Sequence, residues 1–199
     1  GGAVLAWLAF GVADGDRVGS RALVDLETRA TRDLPWGRFD APPLIARAGS
    51  GWVAAVTENA EGTHARALLW REGQSALELA RGDQLALGDL ACDGDRCALL
   101  TTLAKDTVAP GATLAMGDVT RPESWKRIDI QPDPAEPWQP LAIVRFDAAG
   151  AEVALGTGKQ VALWRAREQG AEKLGEIATR FGAWDVVTTP APLAISAGA

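Results

Sequence analysis

Val53-Ala54-Ala55-Val56-Thr57, Ala98-Leu99-Leu100-Thr101-Thr102, Val153-Ala154-Leu155-Gly156-Thr157 and Leu193-Ala194-Ile195-Ser196-Ala197 are four versions of one phrase, a short row of small and apolar residues. Each is too short for a helix and is bounded by turn-forming residues, which is the pattern of a buried strand. Successive side chains of a strand point to opposite faces. A row that is apolar at odd and even positions alike is therefore covered on both faces. Before each phrase stands another apolar strand and a turn, so that residues 44–57, 90–102, 144–157 and 186–197 read as hairpins, turning at Gly49-Ser50-Gly51, Asp93-Gly94, Ala149-Gly150 and Pro190. The opening run, residues 4–10, fits the slot of the second hairpin strand.

A third strand follows each phrase. Arg21-Ala22-Leu23-Val24-Asp25, Arg66-Ala67-Leu68-Leu69-Trp70, Ala112-Thr113-Leu114-Ala115-Met116 and Gln160-Val161-Ala162-Leu163-Trp164 share a small, apolar centre, and they start 45, 46 and 48 residues apart. A more polar fourth strand closes the unit at residues 76–79, 125–130 and 173–177, where apolar and charged residues alternate as at a half-exposed sheet edge. Residues 165–172 are helix-compatible in composition and are expected to form a long loop between the third and fourth strands.

Four antiparallel strands repeated about every 45 residues resemble the blades of a β-propeller. The resemblance is to the WD40-like and sialidase-like architecture, without the signature motifs of either family. Trp184-Asp185 occurs once, in another slot, and no Ser-x-Asp-x-Gly-x-Thr-Trp turn is present, so neither family's chemistry carries over. The resemblance implies an all-β chain of about four four-stranded antiparallel blades. Its units are residues 1–40, 41–82, 83–133 and 134–180, with a partial unit at 181–199. The count of expected strands is 17, one more than four closed blades hold, because the last strand repeats the slot of the first. The chain is thus expected to be part of a larger ring, continued by the remaining blades of a longer parent chain.

With 199 residues, 47% hydrophobic and 23% charged, the chain has the composition of a globular domain large enough to bury a core without a metal or a dense disulfide net. Its net charge of -6 argues against nucleic acid as a partner, since that affinity comes from clustered cations. The opening apolar run, residues 3–10, is far short of the roughly 20 residues of a bilayer-spanning helix. The sequence begins Gly1-Gly2, without an initiator Met, as an excised segment would. Cys92 and Cys97 flank Asp93-Gly94-Asp95-Arg96, expected to be a four-residue hairpin loop that sets the thiols opposite one another, within disulfide reach. Two reduced thiols are the alternative. Zinc is disfavoured, because His64 is the only histidine. An oxidised pair implies a periplasmic or extracellular protein, here read as an exported bacterial one.

The candidate chemistry is sparse. Catalysis by His64 needs a partner that nothing in the sequence places beside it. Ser50 lacks the spacing of a nucleophile elbow, and Gly156-Thr157-Gly158-Lys159-Gln160 lacks that of a phosphate loop, so both are turns. The Asp-Gly-Asp-Arg tetrapeptide occurs at residues 14–17 and 93–96. Two Asp per loop are too few for calcium, which leaves solvated hairpin tips. Arg81-Gly82-Asp83 matches an integrin-binding tripeptide and equally a strand-ending turn. Of the eight Trp, Trp70 and Trp164 stand at equivalent repeat positions and should pack between blades, whereas Trp36 and Trp138, beside prolines, are candidate exposed aromatics.

In propellers generally, the loops leading from the fourth strand to the next first strand share a face with those joining the second and third strands. Here that face would present Asp14, Asp16, Asp40, Asp83, His64, Lys105, Asp106, Trp138 and Lys159. Ligand binding is assigned to Asp14, Asp16, Asp83, His64, Trp138 and Lys159, with no catalytic residue, metal or cofactor. The expected function is a non-catalytic binding or scaffold module presenting loops to a protein or small ligand. The alternative is a glycosidase or lyase whose carboxylates meet at a central channel, for which the first strands offer chiefly Asp89 and Asp185.

Overall fold

The computed structural model describes residues 4–13, 16–25, 31–33, 44–49, 51–60, 64–71, 74–82, 85–102, 111–132, 138–157, 159–178, 185–187 and 194–196. Among these, every regular element is a strand. The first sheet holds β1 (Val4–Ala13), β2 (Asp16–Asp25) and β3 (Thr31–Asp33) in that order. Three four-stranded antiparallel sheets follow. The second sheet comprises β4 (Leu44–Ala48), β5 (Gly51–Ala60), β6 (His64–Arg71) and β7 (Leu77–Gly82). The third comprises β8 (Leu87–Asp93), β9 (Arg96–Thr102), β10 (Ala112–Asp118) and β11 (Arg121–Ile130). The fourth comprises β12 (Gln139–Asp147), β13 (Gly150–Gly156), β14 (Gln160–Arg167) and β15 (Gly170–Ala178). β16 (Asp185–Val187) pairs with β17 (Ala194–Ser196) as a separate two-stranded sheet. Successive sheets meet through their first strands, β4 on β8, β8 on β12 and β12 on β16. This is the radial order of propeller blades. The sheets do not close into one ring: among the described residues no ladder joins β1–β3 to β16 or β17.

The burial of β9 shows why its sequence does not alternate. Cys97 and Leu99 enter a core shared with Val53, Ala55, Ala67, Leu69 and Leu79 of the second sheet. Ala98 and Leu100 point the other way, into a core shared with Val153, Leu155 and Ala162 of the fourth. All four β9 side chains are fully buried. A strand held between two sheets needs apolar side chains at both parities, and burying a Leu contributes roughly 1.5–3 kcal/mol. Thr101, also buried, donates its hydroxyl to the Thr113 carbonyl, which removes the cost of an unpaired polar group. As expected for an inter-blade aromatic, Trp164 packs against the core between the third and fourth sheets.

Two turns differ from expectation. Residues 165–172 form no long loop: β14 runs to Arg167, β15 starts at Gly170, and Arg167 pairs with Gly170 across a two-residue turn. The charges that made the segment helix-compatible act across strands instead, Arg165 pairing with Glu152 at 2.8 Å and with Glu172 at 3.6 Å. The hairpin at Cys92 and Cys97 is also tighter than four residues. Asp93 pairs with Arg96, only Gly94 and Asp95 turn, and Gly94 has φ +60°, which glycine adopts without strain. The two cysteines are therefore directly opposed, with Cα atoms 4.1 Å apart, and form a disulfide. Closing so short a loop is worth about 2 kcal/mol in the chain-entropy model.

Candidate ligand-binding face

Strand direction fixes which connections share an end of each sheet. β2, β6, β10 and β14 begin at the same end as the first strands β4, β8 and β12. Asp16 opens β2, His64 opens β6, and Lys159 and Trp138 immediately precede β14 and β12. The topology thus brings these four residues to the loop end of their own sheets, as the repeat implies. Asp14 and Asp83 lie outside the described residues, as do Asp40, Lys105, Asp106 and Trp36.

Lys159 is exposed on a pinned turn. The Thr157 amide donates to the Gln160 carbonyl at 2.8 Å, and the Thr157 hydroxyl accepts from the amides of Lys159 at 3.1 Å and Gln160 at 3.2 Å. A threonine hydroxyl satisfying the turn amides accounts for this segment as a turn. Trp138 is placed differently from expectation: it is 5% exposed. Its ring lies in the seam between the third and fourth sheets, in one core with Ala112, Ile130, Ile143 and Val153, and its carbonyl accepts from the Gly111 amide at 3.3 Å. The Pro-rich sequence marks a connection, but Trp138 itself sits in a seam that its indole fills.

Asp89 is the first-strand carboxylate that the enzymatic alternative needs. Its Oδ1 accepts from the Leu90 amide at 2.8 Å and its Oδ2 from the Ile143 amide at 2.7 Å. Ile143 belongs to β12, the edge strand of the next sheet, whose outward amides have no ladder partner. Asp89 therefore ties one first strand to the next. The side chain of Asp185 lies outside the described residues.

The opposite ends of the sheets carry a network that sequence reasoning missed. The tip at Gly94-Asp95, expected to be solvated, is docked: the Gly94 carbonyl accepts from Gly49 of the preceding sheet at 2.7 Å, and the Asp95 carbonyl accepts from Val119 at 2.9 Å. Asp95 also faces Arg71 at 3.6 Å. On the other side, Arg96 donates to the Asp147 carbonyl at 3.4 Å and lies 5.7 Å from the Phe146 ring centroid, while Lys126 pairs with Glu168 at 2.7 Å. The disulfide thus clips the turn through which the third sheet grips both neighbours.

Carboxylates at this end are held ionised. The Thr120 hydroxyl and amide, helped by Arg121, push Asp118 down to about 2, and the Ala149 amide with Arg145 holds Asp147 below its ordinary value. A cleft of about 320 Å³ at the same end is lined by Arg145, Asp147, Glu152, Arg165 and Arg167. Among the described residues no group of three or more metal-ligating side chains converges, and no helix is long and apolar enough to cross a membrane.

No family model matches the sequence, and no curated protein matches it. Solved structures do. The subtype N10 neuraminidase-like protein of A/little yellow-shouldered bat/Guatemala/060/2010 aligns over 81% of this chain and 52% of its own, with a TM-score of 0.50 at 10% identity. The acylaminoacyl peptidase of Pyrococcus horikoshii aligns over 91% of this chain and 32% of its own, with a TM-score of 0.54 at 12% identity. The chain therefore spans about half, or less, of the length of these proteins. At such identities the likeness shows the fold alone, and the fold it shows is β-propeller-like.

Proposed function

We propose that this chain is a non-catalytic binding or scaffold module of propeller type, with one 1–199 unit holding a protein or small ligand on the loops where β2, β6 and β14 begin. The observation that carries the reading is the engagement of Asp89. A carboxylate whose two oxygens accept backbone amides of two adjacent sheets is placed as a brace, whereas a glycosidase or lyase needs acids free to meet substrate. The ligand contacts proposed are Asp14, Asp16, Asp83, His64 and Lys159. The disulfide supports an exported setting, periplasmic or extracellular, because such bonds persist in oxidising compartments.

The test is a panel of glycans and peptides read by tryptophan fluorescence and by hydrolysis. Binding without turnover, weakened in the His64→Ala/Lys159→Ala double variant at unchanged circular dichroism, is the expected result. Hydrolysis that disappears in Asp89→Asn while the fold is retained would sink the binding reading in favour of the enzyme.

A further inference from the structure

The tip of the β8–β9 hairpin is where the third sheet touches both of its neighbours, and it is also where the chain's two cysteines are joined. The bond links residues only five positions apart, so what it constrains is the turn itself and not distant parts of the chain. Asp93, Gly94 and Asp95 are exposed and Cys92 is half-buried, whereas Cys97 is 0% exposed. The contacts that these turn residues make to the second sheet are polar: the Gly49 amide donates to the Gly94 carbonyl at 2.7 Å, and Asp95 faces Arg71 at 3.6 Å. Arg96 reaches the fourth sheet in the same way, donating to the Asp147 carbonyl at 3.4 Å. Water can replace such contacts at an exposed tip at little net cost, so they last only while the turn is held in shape.

We propose that the Cys92–Cys97 disulfide is a redox-sensitive latch, whose reduction by an external dithiol releases the 93–96 turn from the second and fourth sheets while both cores stay packed. Exposure directs the attack to Cys92. A thiolate of the dithiol bonds to Cys92 Sγ, the bond between the two cysteines breaks, and Cys97 leaves as a thiolate and is protonated. The second thiol then displaces Cys92, which is protonated in turn, and the reductant departs as its own disulfide with two electrons left on the chain. While the latch is closed, an undocked turn is still a small ring and gains little freedom by leaving its neighbours. Once it is open, the undocked turn samples many more conformations, and the chain-entropy model raises the opening equilibrium by up to roughly thirtyfold. The cores do not follow, because reduced Cys97 remains a small apolar side chain in the core that holds Val53, Ala55 and Leu79. The proposal rests on this geometry and not on the ligand-binding reading.

Hydrogen exchange followed by NMR, on the oxidised chain and on the chain kept in excess dithiothreitol, is the test. Reduction should speed exchange of the Gly49 and Val119 amides, which donate to Gly94 and Asp95, by about ten- to thirtyfold. The amides of Leu114 and Leu155 should keep their rates, and the circular dichroism should not change. The Cys92→Ala/Cys97→Ala variant should exchange at the fast rates with or without reductant. Reciprocity gives a second measurement: if the closed bond favours docking, docking favours the closed bond by the same factor. Gly49→Ala sets a Cβ 2.5 Å from Asp95 Oδ1 at φ +52° and so weakens docking, and its disulfide should be reduced several-fold more readily at equilibrium with a glutathione buffer. A disulfide that stays intact in excess dithiothreitol overturns the proposal. So do unaltered exchange at Gly49 and Val119 once the thiols are free, a Gly49→Ala equilibrium equal to that of the unaltered chain, or loss of the whole fold on reduction.

Discussion

Replacing Asp89 tests whether adjacent first strands are tied by a side chain rather than by apolar contact alone. In Asp89→Ala two charge-assisted hydrogen bonds go, and the amide of Ile143, a residue 6% exposed, loses its 2.7 Å acceptor. A hydrogen bond to a charged group is worth about 1.5–3 kcal/mol, and a buried donor left unpaired costs about 1–3 kcal/mol. Asp89 itself is only part-buried, so the low end of the first range applies. A destabilisation of about 3 kcal/mol is expected, which lowers the thermal midpoint of a chain this size by about 6–12 °C. Asp89→Asn keeps one acceptor oxygen but turns an NH2 group toward the second amide, so about half the effect should remain. Urea unfolding gives the energies, and hydrogen exchange gives the place: the Ile143 amide should lose protection before those of Leu99 and Leu114. If Asp89→Ala unfolds within about 0.5 kcal/mol of the unaltered chain, the brace is not a brace and the case against a catalytic acid loses its support.

Three further outcomes follow from the same packing. Leu114 is fully buried between the third and fourth sheets, so Leu114→Ala should cost about 2–5 kcal/mol by urea unfolding, whereas Leu174→Ala, at a site 39% exposed, should cost under about 1 kcal/mol. Gly49 has φ +52° and an added Cβ would come within 2.5 Å of the Asp95 carboxylate, so Gly49→Ala should destabilise by about 1–2 kcal/mol and expose the Gly49 amide, which now donates to Gly94, to faster hydrogen exchange. Asp118 is held at about 2 in the folded chain, below the ordinary 3.8. A lowered folded value stabilises above the unfolded one and is lost as pH falls through the interval from about 4 to 2. A carbon-detected NMR titration should place its midpoint near 2, and Thr120→Ala should raise it.

The four-stranded antiparallel sheets were legible because burial on both faces leaves short rows that are apolar at both parities, as at residues 97–100, bounded by turn-forming residues. The disulfide was legible because a short Asp-Gly turn forces its flanking residues into register. What failed did so where local pattern and tertiary setting separate. Residues 165–172 are helix-compatible in composition, yet the acids that Arg165 meets are Glu152, thirteen residues back on β13, and Glu172 opposite it on β15. Trp138 stands among prolines, which report a chain that leaves its sheet but not whether a given side chain beside them is buried between sheets. The grip of Gly94-Asp95 on Gly49 and Val119 was invisible because it depends on the distance between sheets, which no single repeat encodes.

The polar groups at the two ends of the sheets therefore do different work. At the end holding residues 94–95, 118–121 and 147–149, the carboxylates are occupied by Arg71, Arg121 and Arg145 or by turn amides, and the carbonyls bind the neighbouring sheet. Groups so engaged have little left for a ligand, because a new partner must first break the old contact. At the loop end, the turn at Thr157 is satisfied by its own backbone and leaves the Lys159 side chain exposed. A charge held out by a self-sufficient turn can be removed without disturbing the fold. Lys159→Ala should accordingly leave the urea midpoint within about 0.5 kcal/mol of the unaltered chain while changing any ligand affinity this face has. Arg96→Ala, which removes contacts to Asp147 and Phe146, should do the reverse. Should Lys159→Ala unfold the chain and Arg96→Ala alter binding alone, the roles given to the two ends are exchanged and the proposed binding face is on the wrong side of the sheets.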